Sequence, residues 1–233
     1  DRVEFTMSGT ESVMLALRIA RGYTGRQKII KFQEHFHGWY DQVYQAMAYP
    51  YDCPSSLGLT DSELGSVVVL PPNRIEPVRE ALAGGDIAAV ILEAGGARGG
   101  FLPVDRQYLR DLRAETAKAG AVLIFDEVIT GFRYSPGGAQ EYFGVTPDLA
   151  TFGKIVGGGL PSGAVGGRAE VMEVLEYGRP TEPGRAGRVS HTGTFNAKAL
   201  AAAAGVLTLE AVATGLPHLR ANATAQDLRR KMN

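Results

Sequence analysis

The stretch Asp148-Leu149-Ala150-Thr151-Phe152-Gly153-Lys154-Ile155-Val156-Gly157-Gly158-Gly159-Leu160-Pro161 decides the fold of this chain. A short apolar run stops at Gly153, presents one lysine, and enters a backbone too rich in glycine for a helix or a strand. Lys154 is the only cation in it. A lysine held between an apolar strand and a triple glycine can lose solvation, and lost solvation makes its amine a usable nucleophile. A surface lysine on a flexible loop is the alternative, and the rest of the chain has to choose between them.

Upstream, continuous apolar runs alternate with amphipathic ones. Ser66 to Leu70, Ile87 to Leu92 and Ala121 to Phe125 read as strands, and Arg74 to Ala83 and Asp105 to Gly120 as helices. Buried strands separated by helices predict a three-layer α/β fold, a mostly parallel sheet flanked by helices. Ligands gather at the carboxyl ends of such strands, and here those ends carry Glu93, Asp126-Glu127 and Lys154. A buried carboxylate at Asp126 needs a cationic partner. A protonated pyridine nitrogen would serve, and a cap on the next loop is the plainer role.

The chain opens with an alternating strand, Val3 to Met7, followed by Ser8-Gly9-Thr10-Glu11 and apolar residues at helical spacing (Val13, Ala16, Leu17, Ala20). Ser8 and Glu11 form a capping box. Free N–H groups at a helix start also make an anion seat, so the segment is either a phosphate site or a simple cap. A second strand, Lys28 to Phe32, ends in Gln33-Glu34-His35-Phe36-His37-Gly38-Trp39-Tyr40, a platform for a planar ligand or a packed loop core. His35 and His37 lack carboxylate or cysteine support at metal-ligand spacing, so no metal is expected. Ala46 to Gly65 shows no period and reads as a long loop.

At 233 residues, 45% hydrophobic and 21% charged, the chain can bury one large core and part of a second. A net charge of -1 without a Lys/Arg block argues against nucleic acid or an anionic membrane as partner and favours a small molecule. No apolar stretch is long enough to span a bilayer. Cys53 is the sole cysteine, which excludes an internal disulfide and a thiolate metal cluster and suits a cytoplasmic protein.

Taken together, Ser8-Gly9-Thr10-Glu11, Tyr23-Thr24-Gly25-Arg26, Lys28 to Phe32, His37-Gly38, Phe125-Asp126-Glu127-Val128-Ile129-Thr130-Gly131-Phe132-Arg133, Phe143 to Leu149, Gly153 to Pro161 and Gly193-Thr194-Phe195-Asn196 resemble, in order, the class III aminotransferases of pyridoxal-phosphate fold type I. The nearest likeness is to the glutamate-1-semialdehyde 2,1-aminomutase and β-amino-acid aminotransferase branch.

The resemblance implies a pyridoxal 5'-phosphate enzyme. Lys154 matches the lysine that holds the cofactor as an internal aldimine and shuttles the proton, and Asp126 matches the carboxylate that keeps the pyridine nitrogen protonated. Ser8, Gly9 and Thr10 match the phosphate cradle, Phe36 and His37 the ring platform, and Val128 lies in the cofactor motif. Glu93 matches a carboxylate supporting the network around Asp126. Thr194 matches a threonine reaching the phosphate of a neighbouring subunit's cofactor, so a homodimer with shared sites is implied.

The pattern departs from the family in four places. Phe36 replaces a stacked tyrosine, Ala94 a proline, and Gly95-Gly96-Ala97-Arg98 a run that offers an Asn to the cofactor; the 46–65 loop lacks the Gly/Ser-rich gate of the aminomutase. Arg98 and Arg133 are candidates for a substrate carboxylate.

Residues 1–209 are expected to form the large cofactor domain, its start truncated, and 210–233 a helix leading into a smaller C-terminal domain. Three functions follow as expectations: aminotransfer between an amino acid or amine and a carbonyl acceptor, intramolecular transfer as an aminomutase, and a non-catalytic relic of the fold.

Overall fold

In the computed structural model, which describes residues 1–178 and 187–232, seven strands form one sheet. They are β1 (Arg2–Thr6), β2 (Lys28–Phe32), β3 (Val67–Leu70), β4 (Ile87–Leu92), β5 (Val122–Asp126), β6 (Leu149–Phe152) and β7 (Gly163–Gly167). Their order is β1-β7-β6-β5-β4-β2-β3. The pairs from β6 through β5, β4 and β2 to β3 are parallel, and β7 is antiparallel to both of its neighbours.

The sheet is buried on both faces because its strands are apolar at successive positions. Ile29, Ile91, Val122 and Ile124 pack beneath the helix Gly9–Thr24. Their pleat neighbours Ile30, Val90, Leu92, Leu123 and Phe125 pack with Val78, Leu82, Leu109 and Leu112 from the helices Ile75–Ala83 and Arg106–Ala119. The expected three layers are therefore present.

Local signals set the helix ends. Ser8 caps the first helix by accepting from the Glu11 N–H at 3.2 Å, while Glu11 accepts at 2.7 Å from the N–H of Met7, one residue before the cap. Asp105 accepts from the N–H groups of Gln107 and Tyr108, and Gly120 closes the same helix with a left-handed backbone.

Two segments differ from the expectation. β7 was not anticipated, since Gly163-Ala164-Val165-Gly166-Gly167 shows no strand pattern. Its glycines answer to neighbours instead: a Cβ on Gly163 would lie 2.5 Å from both Ser12 Oγ and Thr6 Oγ1, and one on Gly167 2.3 Å from the Asp148 carbonyl. The stretch after Gly153 is also more ordered than its composition suggests. Lys154–Gly157 forms a 3-10 turn, pressed by the helix Ala199–Ala213. At that contact a Cβ on Gly158 would meet Ala204 O at 2.3 Å, and one on Gly205 would meet Val156 O at 2.4 Å. These two glycines let the helix seat the turn that carries Lys154.

The 46–65 segment is mainly loop, with a short helix at Asp61–Leu64. No single described helix is long and apolar enough to cross a membrane. Residue 209 falls within the helix Ala199–Ala213, which is followed by Leu216–Met232, a helix without a buried residue.

Candidate active site

The parallel strands deliver their carboxyl ends to one edge. Asp126 ends β5, Glu93 follows β4, Lys154 follows β6 by two residues, and Asp126 is in register with Thr151. That edge opens into a cavity of about 190 Å³ lined by Ser8, Gly9, Thr10, Phe36, His37, Gly38, Glu93, Asp126, Val128, Ile129 and Lys154. The structure thus brings together all the candidate cofactor residues except Thr194, which is exposed and outside the cavity.

Asp126 is 5% exposed. Its Oδ2 lies 2.8 Å from His37 Nδ1, and its Oδ1 accepts from the Val128 N–H at 3.1 Å. Burial pushes its carboxyl up to about 7, opposed by the Val128 N–H and by the charge of Lys154. His37 is held in the opposite sense: burial, and then the nearby Lys31 charge, lower its imidazole to about 3. A neutral His37 therefore meets Asp126 as a hydrogen-bond donor through Nδ1–H.

Lys154 is exposed at the cavity, which corrects the expectation of a desolvated lysine. Its distinguishing feature is its backbone, left-handed at φ 47°. That conformation costs a residue with a side chain roughly 1 kcal/mol, a kind of strain that clusters at functional positions.

Glu93 is buried, and its carboxylate gathers three backbone donors: Phe36 N–H at 2.8 Å, Arg98 N–H at 3.0 Å and Gly99 N–H at 3.1 Å. It therefore ties the Phe36 loop to the 97–100 turn and makes no hydrogen bond to Asp126. At the other end, Ser12 N–H to Ser8 C=O opens the bonding of the first helix, leaving the N–H groups of Gly9 and Thr10 ahead of it.

The two candidate arginines lie elsewhere. Arg98 donates to Glu34 Oε2 at 2.8 Å and to the Met47 carbonyl at 2.7 Å. Arg133 lines a separate cleft of about 490 Å³ with Phe132, Tyr134, Tyr142 and His218. Of the aromatic crowd after β2, Phe36 and His37 reach the cavity, His35 enters the core, and Trp39 faces outward at 75% exposure. Ile129 was missed, although it sits in the motif that carries Asp126 and Val128. The His37–Asp126 pairing was also missed, because no local signal links residues 89 positions apart.

Comparison with known proteins gives this geometry a family. The model of class III aminotransferases matches residues 1–233. A glutamate-1-semialdehyde 2,1-aminomutase of Pyrobaculum neutrophilum is 43% identical over 99% of this chain and 54% of its own length. The chain spans about half the length of the curated relatives it matches. Among solved structures, an omega-transaminase from Sphaerobacter thermophilus is 40% identical with a TM-score of 0.82, covering 91% of this chain and 50% of that one. A transaminase with PLP bound is 33% identical with a TM-score of 0.79, covering 90% and 49%. This chain belongs to the class III aminotransferases.

Proposed function

We propose that the protein of which this chain is part uses pyridoxal phosphate to move an amino group between an amino acid or amine and a carbonyl acceptor. One observation carries the proposal: Lys154, Asp126 and the helix-start residues Gly9 and Thr10 line a single cavity.

The residues present fit the cofactor. Asp126 is a buried carboxyl at about 7 whose hydrogen-bond partners, His37 and the Val128 N–H, are uncharged, so a protonated ring nitrogen would supply the missing cation and hold it ionised. The helix start offers N–H groups and a positive dipole end to a phosphate. Phe36 and Val128 give apolar wall to a planar ring.

Bound there, the cofactor supplies an electron sink for the carbanion formed at the substrate α-carbon. The chain's own contributions are distinct. Asp126 would keep the ring nitrogen protonated, with His37 orienting the carboxylate. Lys154 would hold the cofactor through its amine and, once free, would carry the proton between the substrate α-carbon and the cofactor carbon on the far side of the shared nitrogen. Glu93 ties the Phe36 backbone to the 97–100 turn through its three N–H bonds.

Exposed Thr194 and the apolar surface at Phe195, Leu200, Val206 and Leu207 support a homodimer in which Thr194 serves the neighbouring subunit's cofactor. Exposed Leu216, Leu219, Leu228 and Met232 support a second domain beyond residue 209.

A second reading, intramolecular transfer as an aminomutase, is favoured by the curated relatives at 42–45% identity that bear that name. The test is the full-length protein loaded with pyridoxal phosphate and given a panel of donors and acceptors. Transfer to an added keto acid supports the first reading, and isomerisation without an acceptor the second. A protein that takes up no cofactor and leaves its visible spectrum blank refutes both.

A further inference from the structure

Behind the Asp126–His37 pair lies a second buried imidazole that the chemistry above does not use. His35 is fully buried, and its Nδ1 accepts the Glu93 backbone N–H at 3.0 Å. An imidazole nitrogen that accepts carries no proton, so His35 is neutral with its proton on Nε2. Burial, with His37 and Lys31 close by, disfavours the charged form in the same sense. That Nε2–H has no partner among the described residues.

His37 presents the complementary case. Its Nδ1–H is committed to Asp126, which leaves its Nε2 a bare acceptor, equally buried and equally without a protein partner. The two ring centroids are 6.1 Å apart with planes tilted by 40°. One buried donor and one buried acceptor thus sit on adjacent rings without a direct hydrogen bond, and a single bridging water is the partner that would satisfy both. Two buried orphans of opposite polarity in one place are a pair, since each alone costs on the order of 1–3 kcal/mol.

We propose that His35 is a positioning residue for the ring-nitrogen carboxylate: its Nε2–H, across one bridging water, holds His37 Nε2 and so keeps the His37 proton on Nδ1, facing Asp126. The order runs from the Glu93 N–H through His35 and His37 to Asp126 Oδ2, and every donor in it points toward the carboxylate. Its effect is to hold His37 in one of two tautomers. The other tautomer would turn a lone pair on Asp126, repel the carboxylate, and loosen its grip on a protonated ring nitrogen. His35 touches neither cofactor nor substrate and acts only through His37.

The test has two arms. In the first, full-length protein carrying ring-15N histidine, without cofactor and at about pH 8.5, where Asp126 is ionised, is observed by long-range 15N–1H correlation, with signals assigned by His35→Gln and His37→Gln variants. Proton on Nε2 for His35 and on Nδ1 for His37 is expected. The reverse tautomer at either residue, or a His37 imidazolium, at that pH overturns the proposal. His35→Leu should shift His37 toward a tautomer mixture. His35→Gln, whose amide can accept from Glu93 N–H and donate to the bridging water, should restore the Nδ1–H form.

The second arm rests on the amino-transfer reading. His35→Leu should weaken pyridoxal phosphate binding about tenfold while leaving unchanged the affinity for its 1-deaza analogue, whose C–H cannot engage Asp126; His35→Gln should recover most of the loss. Equal weakening for both ligands means a structural role only and overturns the proposal. Should neither ligand bind the wild-type protein, the cofactor reading fails while the tautomers still decide the role of His35. If His35→Leu does not fold, the wild-type tautomers and the Gln variant carry the test.

Discussion

Asp126→Asn should make the unloaded protein more stable at pH 8 while destroying its use for the cofactor. Burial moves this carboxyl from its ordinary 3.8 to about 7. The folded state therefore binds a proton that the unfolded state has released between those values, and stability falls as pH rises through that window. At about 1.4 kcal/mol per pH unit, the full cost on the alkaline side is on the order of 4 kcal/mol. Asparagine removes it. The amide keeps an acceptor for the Val128 N–H but turns a donor on His37, a loss of about 1 kcal/mol. The net gain above pH 7 is then roughly 3 kcal/mol, and the gap between variant and wild type should widen by roughly 2 kcal/mol between pH 5 and pH 7 before flattening. His37, lowered to about 3, costs stability only as pH falls below its ordinary 6.5, so to first order it affects both proteins alike. Urea unfolding of both proteins across pH 5–8 reads the gap directly. Saturating pyridoxal phosphate should reverse the ranking by stabilising only the wild type. A gap that does not change with pH, or an Asn variant less stable than wild type at pH 8, refutes the account of Asp126 as a carboxyl awaiting a cation.

Lys154→Ala should abolish borohydride-trapped cofactor without moving the urea midpoint by more than a few tenths molar, whereas Lys154→Gly should lose the cofactor and gain roughly 1 kcal/mol, because glycine accepts φ 47° without strain. Gly163→Ala should cost on the order of 2–3 kcal/mol, since its Cβ would strike Ser12, Thr6 and the Ser8 carbonyl at 2.5–2.6 Å, while Gly166→Ala, with 3.5 Å to its nearest neighbour, should cost under about 1 kcal/mol; equal costs in urea melts would contradict the packing assigned to β7. Glu127→Gln should destabilise by on the order of 3 kcal/mol and raise protease sensitivity between residues 128 and 137. The buried Glu127 carboxylate accepts from the Ala139 and Gln140 N–H groups and the Thr130 hydroxyl, and an amide would oppose one of those donors with another.

What the sequence revealed depended on whether the controlling interaction was local. Strands β4 and β5 were legible because residues buried on both faces leave an unbroken apolar run, and the Ser8 cap because it bonds within three residues. The strand-end rule placed Glu93, Asp126 and Lys154 on one edge before any contact was known. β7 escaped because its glycines are imposed by Ser12 and Asp148, remote in the chain and adjacent in space. Arg98 looked free for a substrate because its partner, Glu34, stands 64 residues upstream. Both members of that ion pair also have left-handed backbones, at φ 54° and 65°, a feature that composition does not encode.

The choice of a neutral histidine beside Asp126 has a physical reason. An arginine or lysine in the place of His37 would ionise the carboxylate outright, but it would also spend that charge, leaving little attraction for a ring nitrogen. A neutral imidazole orients the carboxylate through one hydrogen bond and leaves its full charge unmatched. Burial makes this arrangement hold, and Lys31 adds to it. By the pleat Lys31 shares a sheet face with Glu93 and Asp126 at the same edge, and it is itself fully buried, its amine donating to the Gln45 carbonyl. Its nearby charge opposes protonation of both His35 and His37. Burial lowers the Lys31 amine as well, to about 7, and commits it to the Gln45 carbonyl, not to Asp126, so the carboxylate remains available to the one cation that brings chemistry with it.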